Sequence, residues 1–406
     1  MIATLLPDIS NSTDLASVIA ANNAPADLTA DIAICGAGPV GITLAALLVK
    51  RGVAPDRITL IDGKPIDQAR LDPRTIALSY GSRQILENIG AWPLPVTPIH
   101  EIHVSRRGHF GRTLIDRREY QLAALGYVSR YGSLITALAA LPALEGIQLL
   151  RPVHVSDSNE ENDGVVMRLS DGRTLRSAIM VQAEGGLFGE QAGKAMQRDY
   201  DQCAIVAHVE TSAAIAHRAF ERFTDQGPLA LLPQDDGYAL VWCVRPATAT
   251  HLLGLDDGAF LHALEDAFGG RVGRFVRVST RHSFPLGLNA QVVPANSSAR
   301  IVAIGNAAQT LHPVAGQGLN LGLRDAAVLA KLLSQNLSSA AVEAFAASRK
   351  TDRNMTIRMT DLLARVFASA PEGAVSQTLL GLLLGLVDAI RPAKDLLAEQ
   401  MMFGRR

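Results

Sequence analysis

The sequence predicts an α/β fold, in which a Rossmann-like domain is interleaved with a second domain built on an antiparallel sheet and is followed by C-terminal helices. Three observations predict it. A strand, a glycine-rich turn and a helix follow one another from residue 31. Strands separated by turn residues, without helices between them, fill the middle of the chain. Helical periodicity returns from residue 318 onward.

Length and composition limit the classes of protein to consider. The 406 residues suffice for two or three domains, and 48% hydrophobic and 19% charged residues are typical of a globular chain. Lys and Arg number 38 against 39 Asp and Glu, so the basic excess of a dedicated nucleic-acid-binding protein is missing. The widely spaced Cys35, Cys203 and Cys243 favour a reducing cytoplasm over a disulfide framework.

Changes of pattern along the chain predict where the domains begin and end. Residues 1–30 contain no Lys or Arg and no signal-peptide pattern, and we interpret them as a mobile tail. The Rossmann-like domain is predicted to consist of three segments, 31–95, 125–200 and 296–345. The second domain is predicted to fill the insertions between them, 96–124 and 201–295. The remainder, 346–406, is the predicted C-terminal helical region.

The first domain opens with a βαβ unit. Residues Asp31 to Cys35 predict a short buried strand, which runs into the turn GAGPVG at 36–41 and then into the helical sequence ITLAALLVKRG. A second apolar strand, Arg57 to Ile61, ends on Asp62. Because such crossovers are right-handed, the two strands are expected to be parallel.

The glycines of this turn, Gly36, Gly38 and Gly41, have the spacing that a dinucleotide pyrophosphate needs. The first permits the tight turn, the second lets the backbone approach phosphate, and the third lets the helix pack on the strand. Backbone N–H groups at the helix start then face the negative charge. Asp62 is expected to accept hydrogen bonds from the adenosine ribose; the alternative is that it is only a turn residue.

The middle and late parts of the chain differ in their predicted elements. Four strands are predicted as a run of antiparallel sheet: Leu175 to Gln182, Ala219 to Phe223, Leu229 to Leu232 and Tyr238 to Arg245. A strand at Ile301 to Ile304 and a helix at Gly318 to Gln335 then return the chain to its α/β core. A last helix is predicted from an apolar face formed by Met355, Met359, Leu362 and Val366.

The segment 301–324, IVAIGNAAQTLHPVAGQGLNLGLR, decides which nucleotide is bound. It reads as a strand, a turn of small residues and a glycine-rich loop that feeds a helix start at Gly318, so its backbone N–H groups face an electron-rich ligand. Here the sequence resembles the FAD-dependent aromatic hydroxylases of the para-hydroxybenzoate hydroxylase type, and more closely their ubiquinone-biosynthesis branch. The resemblance extends from about residue 31 onward. Its supporting stretches are HEIHVSRRGHFG (100–111), ALGYV (124–128), ERFTDQGPLALLP (221–233) and RPAKDLLAEQ (391–400).

The resemblance implies how the chain would hold FAD. Gly305 and Asn306 are expected at the ribityl chain, and Arg74 in DPRTIALS is expected to reach the cofactor. The loop along the pyrimidine edge of the flavin would comprise Gly316, Gly318, Leu319 and Asn320. Where relatives have Ala-Asp-Gly, this chain has Ala-Glu184-Gly, in the turn that contacts both FAD and the transient pyridine nucleotide. Glu184 is therefore expected at the cofactor, and its side chain, one methylene longer than Asp, is expected to displace that turn.

The resemblance also implies a reaction. NAD(P)H reduces FAD, the reduced flavin takes up dioxygen as the flavin 4a-hydroperoxide, and its distal oxygen attacks the ring of a polyprenylated phenol in ubiquinone biosynthesis. The sequence points to no side chain as the base for the phenol, so catalysis is assigned to the geometry and dipoles of the loop containing His312, Pro313 and Gln317. For His312 two interpretations stay open: a position near the substrate, or a hydrogen bond to backbone that fixes the loop.

Two other functions compete with the hydroxylase. A non-catalytic scaffold of a quinone-synthesis complex finds its support in the Glu184 departure, and a flavin-dependent prenyl reductase would share the fold class. No metal site is predicted, since His100 and His103 are misspaced for zinc. The basic cluster is interpreted as a solvated face, or as a contact for anionic lipid or nucleotide phosphate. It consists of Arg106, Arg107, Arg112, Arg117 and Arg118.

A lipid substrate also suggests contact with a membrane. The apolar stretch Leu379 to Val387 is about half as long as a spanning helix, and therefore predicts no bilayer crossing. With the nearby basic residues it predicts peripheral attachment of a cytoplasmic protein at the inner face of the membrane. Those basic residues are Arg391, Lys394, Arg405 and Arg406. The alternative places the leucines in the core or in a subunit interface.

Overall fold

A computed structural model describes residues 27–107, 112–185, 196–290, 300–313, 316–368 and 402. The predicted tail lies almost wholly outside these residues, as do the stretch Leu379 to Val387 and the basic residues that follow it. Within the described part of the chain, none of the helices is long and apolar enough to cross a lipid bilayer.

The strands and helices are numbered in chain order. The strands before residue 170 are β1 Leu28–Cys35, β2 Ile58–Ile61, β3 Thr75–Ser79, β4 Thr97–Ile99, β5 Glu101–Arg106, β6 Arg112–Asp116, β7 Gly126–Arg130, β8 Gln148–Leu150, β9 Val155–Glu160 and β10 Val165–Leu169. Those after it are β11 Thr174–Gln182, β12 Met196–Thr211, β13 Arg218–Phe223, β14 Pro228–Gln234, β15 Gly237–Val244, β16 Phe275–Val278, β17 His282–Ala290, β18 Ile301–Ala303 and β19 Gln309–Thr310. The α-helices are α1 Pro39–Lys50, α2 Ile66–Arg70, α3 Tyr80–Asn88, α4 Tyr131–Ala139, α5 Pro246–Gly254, α6 Asp257–Phe268, α7 Gln317–Leu333 and α8 Ser339–Ala368.

A seven-stranded sheet carries the nucleotide-type elements, in the order β8-β2-β1-β11-β10-β9, with β18 also paired to β11. Strands β8, β2, β1, β11 and β18 run parallel, as the βαβ unit predicts. β1 begins at Leu28, which pairs with Leu175, so the strand starts earlier than the predicted Asp31. The apolar face of α1 covers this sheet, and Ile34, Leu44 and Leu48 are fully buried there.

The prediction for Leu175 to Gln182 was wrong in its pairing. β11 is antiparallel only to β10; on its other side it runs parallel to β1, with Ile32 opposite Ile179. The Ser-Asp-Gly turn before β11 correctly signals a hairpin, but one strand has two edges, and a turn specifies the partner on only one of them. β11 therefore lies in the middle of the parallel set.

A nine-stranded sheet, hereafter the large sheet, has the order β19-β17-β12-β15-β14-β13-β5-β6, with β16 added on β12. Its pairs are antiparallel, as predicted, except that β5 runs parallel to β13. Helices α5 and α6 cover one face, where Phe220, Trp242, Phe260 and Phe268 form an aromatic core. A small sheet, β3-β7-β4, packs on β14 of the large sheet through β4 and β7.

The last described helix, α8, confirms the predicted helix but not its predicted apolar face. Leu362 is 53% exposed, and Met355 and Met359 are only half-buried. The buried face instead carries Asp352, Arg349 and Arg353. Arg349 and Arg353 pair with the buried Asp325 of α7, while Asp352 pairs with Arg324 and Arg349. Buried charges need such partners, and an apolar-periodicity argument cannot see them.

Candidate active site

A cavity of about 1030 Å³ lies between the seven-stranded sheet and the large sheet. On one side it is lined by the loops that follow the parallel strands, at the carboxyl edge where α/β sheets bind ligands. We call these loops the loop wall; they are Gly36–Val40, Asp62–Lys64, Ala183–Gly185 and Gly305–Asn306. On the other side lies the face of the large sheet that α5 and α6 leave uncovered. We call it the sheet wall, and it comprises Ala219, Glu221, Ala230, Leu232, Val241, Cys243, His282 and Phe284.

The three glycines of the GAGPVG sequence, Gly36, Gly38 and Gly41, meet different surroundings. A side chain at Gly36, which has φ +111°, would lie 2.5 Å from the backbone carbon of Ala183, and one at Gly41 would lie 1.9 Å from the carbonyl oxygen of Gly36. A side chain at Gly38 would meet only the Tyr131 hydroxyl, at 3.5 Å. Gly36 and Gly41 thus serve the protein's own packing, whereas Gly38 keeps space open beside the start of α1.

The start of α1 is suited to an anion. Gly38 is its N-cap and supplies no side-chain hydrogen bond, so the N–H groups of the first turn are left for an external acceptor. The helix dipole adds positive potential at the same point. Uncapped N–H groups, room at Gly38 and an adjoining cavity fit the pyrophosphate of a dinucleotide.

The Asp62 carboxylate, the predicted acceptor for the ribose, already accepts three hydrogen bonds from the protein. Its Oδ2 accepts from the backbone N of Ala37 at 2.8 Å and from Nη2 of Arg151 at 3.0 Å, while Oδ1 accepts from the N of Lys64 at 2.8 Å. A carboxylate has about four acceptor positions, so one remains for a ligand hydroxyl. Arg151, whose Nη2 also donates to the Ala37 carbonyl at 2.7 Å, is a site residue that sequence reasoning missed.

Arg74 lies at the cavity, beside the start of α4. Its Nε and Nη2 donate to the carboxylate of Asp72 at 2.9 and 2.7 Å, and its guanidinium lies 4.9 Å from the centre of the Tyr131 ring. Burial works to raise the pKa of Asp72, but the hydrogen bonds from Arg74 hold that pKa below its usual value. The pair is therefore charged at neutral pH, and Arg74 is oriented before any ligand binds.

Glu184 follows β11 and lines the cavity. Burial raises the pKa of its carboxyl, and the negative charge of Asp62 raises it further. The backbone of Ala183 and Glu184 is the surface against which Gly36 packs, which leaves no room at position 36 for any larger residue. Although the Glu184 side chain is one methylene longer than the Asp of relatives, the backbone at Ala183 and Glu184 remains in contact with the glycine turn.

The second glycine segment converges on the same cavity. Gly305 and Gly316 adopt left-handed conformations, with φ of +60° and +59°, and Gly318 and Leu319 line the cavity beside Asn306. Asn320 does not line it. Its amide oxygen accepts from the N of Ser79 (2.8 Å) and the hydroxyl of Ser82 (2.7 Å), and its amide nitrogen donates to the carbonyls of Ala77 (3.0 Å) and Gly316 (2.7 Å). The Asn320 side chain therefore fixes the loop to β3 and α3 instead of contacting the cavity.

His312 and Pro313 lie in the cavity lining, whereas Gln317 is buried at the first turn of α7 and does not line it. The His312 ring is 0% exposed, and burial lowers its pKa to about 4, so the imidazole is neutral at physiological pH. Gln202 donates from its Nε2 to the Gln226 carbonyl at 2.6 Å. Its Oε1 is therefore the acceptor for Nε2–H of His312, at 3.0 Å. One partner of the His312 ring is thus the Gln202 side chain on β12.

The sheet wall was not predicted. Its residues come from different strands, placed in line by register: Glu221 is opposite Ala230, and Ala230 is opposite Val241. The alternation of β13, where Ala219 and Glu221 face the cavity and Phe220 faces the helices, could have been read from the sequence. Which strands share that face could not, because it depends on long-range pairing. The wall is mostly apolar, which suits a hydrophobic ring.

The fold and this cavity define a class, the FAD-dependent monooxygenases: a Rossmann-like sheet with a glycine turn, a second flavin-type loop, and an apolar wall facing both. The chain belongs to the FAD binding domain family, whose pattern matches residues 29–360. FAD is its cofactor, and the predicted α/β fold with an interleaved sheet domain and late helices is confirmed.

Among characterised relatives, the ubiquinone hydroxylase UbiL of Rhodospirillum rubrum is 34% identical over 400 residues, covering 93% of this chain and 90% of that protein. The ubiquinone hydroxylase UbiM of Neisseria meningitidis is 27% identical and covers 92% and 85%. These relatives confirm the predicted resemblance to the ubiquinone-biosynthesis hydroxylases. Klebsiella pneumoniae HpxO complexed with FAD and uric acid has the same fold, with a TM-score of 0.68 at 16% identity over 92% of this chain and 97% of that one.

Proposed function

We propose that this protein hydroxylates the ring of a polyprenylated phenol in ubiquinone biosynthesis, using FAD, dioxygen and NAD(P)H. One observation carries the proposal: the loop wall and the apolar sheet wall face a single cavity of about 1030 Å³. A cavity of this size accommodates a flavin ring and a substrate ring together. Relatives named ubiquinone hydroxylases support the substrate class. Within that branch, the sequence motifs look most like those of 2-octaprenyl-6-methoxyphenol hydroxylase.

The chain's own residues would divide the work between the two walls. The N–H groups at the start of α1 would bind the pyrophosphate, and the Asp62 carboxylate, ordered by Arg151, would accept a ribose hydroxyl. The apolar side chains of the sheet wall would hold the phenol ring and exclude water. Pro313 and the neutral His312 would define the floor between the walls. Bound FAD supplies the redox and oxygen chemistry.

Turnover of purified protein with a soluble short-prenyl phenol tests the proposal. Oxygen and NAD(P)H consumption should be stimulated by the phenol, and hydroxylated product should exceed hydrogen peroxide. NAD(P)H oxidation that releases only peroxide would contradict the proposal. Substrate reduction without oxygen uptake would establish the prenyl reductase alternative, and absence of both bound FAD and turnover would favour the scaffold.

We also propose that the enzyme docks on the membrane through residues 379–406, because its substrate resides in lipid. The sequence supports this proposal, because seven Leu and Val residues between 379 and 387 are followed by basic residues that could contact anionic headgroups. These basic residues are Arg391, Lys394, Arg405 and Arg406. Truncation after Pro371 should abolish flotation with anionic liposomes while bound FAD is retained. Undiminished flotation would contradict docking, and a flavin-free aggregate would assign the leucines to the core.

A further inference from the structure

Glu221 is an acidic residue placed where the cavity is otherwise apolar. It lies on β13, and its two cross-strand neighbours are Ala230 on β14 and Val104 on β5. Ala219, the next residue on the same face of β13, packs with Ile99 and Val128. The neighbouring Phe220 points to the opposite face, against Phe268. The Glu221 side chain therefore extends from an apolar strand face into the cavity.

None of the residues that the structure describes forms an ion pair or a hydrogen bond with the Glu221 carboxylate. The nearest arginines in sequence have other partners: Arg218 pairs with Glu101, and Arg222 donates to the Ala267 carbonyl. Glu221 is half-buried, and polar groups withdrawn from solvent normally have partners. A carboxylate without one, at the wall of a cavity, is suited to a ligand that donates a hydrogen bond.

The surroundings set its ionisation. Burial alone raises the pKa of Glu221 from 4.5 to about 7. The titratable groups that share its face are Cys243 on β15, His282 on β17 and Arg106 beyond Val104 on β5, and none pairs with it. The thiol of Cys243 has a pKa raised well above 9 by burial, so it is neutral. Glu221 can therefore gain and lose a proton near neutral pH, as general acid–base catalysis requires.

We propose that Glu221 is the catalytic acid–base residue of this site, hydrogen-bonded to the hydroxyl of the phenol and accepting its proton as the ring is hydroxylated. The inference rests on the function proposed above. In this step the phenol O–H bond breaks, an O–H bond to a carboxylate oxygen of Glu221 forms, and the electron pair stays on the ring oxygen. No electrons are exchanged with the protein, and loss of the proton enriches the ring for attack by an electrophilic oxygen.

The shifted ionisation matters for this step. A phenol has a pKa near 10. Proton transfer to a carboxylate of pKa about 7 is therefore more favourable, by a factor on the order of 10² to 10³, than transfer to an ordinary glutamate. His312 is a poorer acceptor, since its pKa is about 4 and its Nε2 is engaged by Gln202. Among these groups, Glu221 is best matched to a phenol.

The test compares Glu221→Gln with Glu210→Gln, a control carboxylate that pairs with Arg277 elsewhere on the large sheet. Glu221→Gln should retain FAD and bind the short-prenyl phenol, while kcat falls roughly 100-fold, the lower range for acid–base residues. The rise of wild-type kcat with pH, centred near 7 because the basic form is the carboxylate, should disappear in this variant. Glu210→Gln should match wild type in both respects.

A more acidic substrate distinguishes a loss of proton transfer in Glu221→Gln from structural damage caused by the substitution. A ring-fluorinated analogue of the phenol ionises without help, so it should restore most of the activity of Glu221→Gln while changing that of wild type little. Unchanged kcat and pH profile in Glu221→Gln, or a loss that the fluorinated phenol does not relieve, overturns the assignment. If wild type hydroxylates no phenol, the proposed function fails as well, which distinguishes the two failures.

Wild-type protein provides a measurement that needs no variant. Across a series of phenols of different acidity, the pH midpoint of kcat should stay near 7 if Glu221 is the titrating group. A midpoint that moves with the acidity of the phenol would assign the ionisation to the substrate, and the proposal would fall.

Discussion

The loop wall and the sheet wall enclose the same cavity but are built by opposite means. Each loop-wall segment is a short run of consecutive residues after one strand, such as Gly36–Val40 or Asp62–Lys64. The sheet wall takes alternate residues from strands far apart in the chain, and register alone brings Glu221, Ala230 and Val241 into line. Local backbone geometry specifies the first wall, and long-range pairing specifies the second. The consequences for mutation differ accordingly.

The largest effect is expected at Gly41, in the first turn of α1, where the helix packs directly on the backbone of Gly36. In Gly41→Ala, the new methyl would lie 1.9 Å from the Gly36 carbonyl oxygen, so the turn and α1 cannot both keep their positions. We expect little soluble folded protein, measured by expression and circular dichroism. A soluble variant with the wild-type melting temperature would contradict this account of the turn.

Gly38 should separate cofactor binding from folding. In Gly38→Val the side chain starts 3.5 Å from the Tyr131 hydroxyl and meets no other atom at its Cβ, but it occupies the approach to the start of α1. We expect a folded protein with at least about tenfold weaker FAD binding, equivalent to about 1.4 kcal/mol. Flavin absorbance of the purified protein and FAD titration measure it. Wild-type flavin content would mean that pyrophosphate does not bind here.

Acid should lower the free energy of unfolding because of the buried His312, which lies between the two walls. The unfolded histidine takes up a proton below pH 6.5, whereas folded His312 stays neutral down to about 4. Its contribution to stability is therefore complete above 6.5 and is lost as pH falls from 6.5 to 4, by about 1.4 kcal/mol per pH unit and roughly 3 kcal/mol in all.

His312→Gln tests that contribution, since glutamine can still donate to Gln202 but does not titrate. Urea unfolding of the FAD-saturated proteins at pH 7 and pH 5 should show a loss smaller in the variant by about 2 kcal/mol. Equal losses in both proteins would mean that His312 titrates normally in the folded state.

The smallest effect is expected where the small sheet touches the large one. Arg130, at the end of β7, pairs with Asp235 in the turn after β14 at 2.6 Å, but the two side chains are 58% and 57% exposed. Asp235→Asn keeps a residue that tolerates the local φ of +50°. We expect a loss under about 1 kcal/mol that vanishes in high salt. A larger, salt-independent loss would mean that this contact holds the walls together.

The same contrast explains what could be predicted from the sequence. The glycine turn, Asp62 and the second flavin loop are local patterns, and the structure brings all of them to one cavity. Arg151 reaches Asp62 from a distant part of the chain, and no local pattern indicates it. The apolar face expected on α8 was wrong because buried ion pairs to α7, such as Arg349 with Asp325, took its place.

Asn320 and Glu221 show that a sequence motif does not by itself reveal what a side chain contacts. Asn320 lies inside the most specific motif of the chain, yet its amide is used entirely within the protein. Glu221 stands in a stretch that supported the family resemblance but was given no role, and the role we propose for it depends on the apolar neighbours that strand pairing supplies. A motif identifies which residues matter, but their partners decide what each side chain does.

The central claim is that both walls serve one reaction site, and filling the sheet wall without touching the loop wall tests it most directly. Ala230→Phe places a ring in the half of the cavity that we propose for the phenol. The measurement is the change in flavin absorbance as the short-prenyl phenol is added. We predict wild-type FAD content with no phenol-induced change and no hydroxylation, whereas a wild-type spectral change and wild-type turnover in Ala230→Phe would contradict the account.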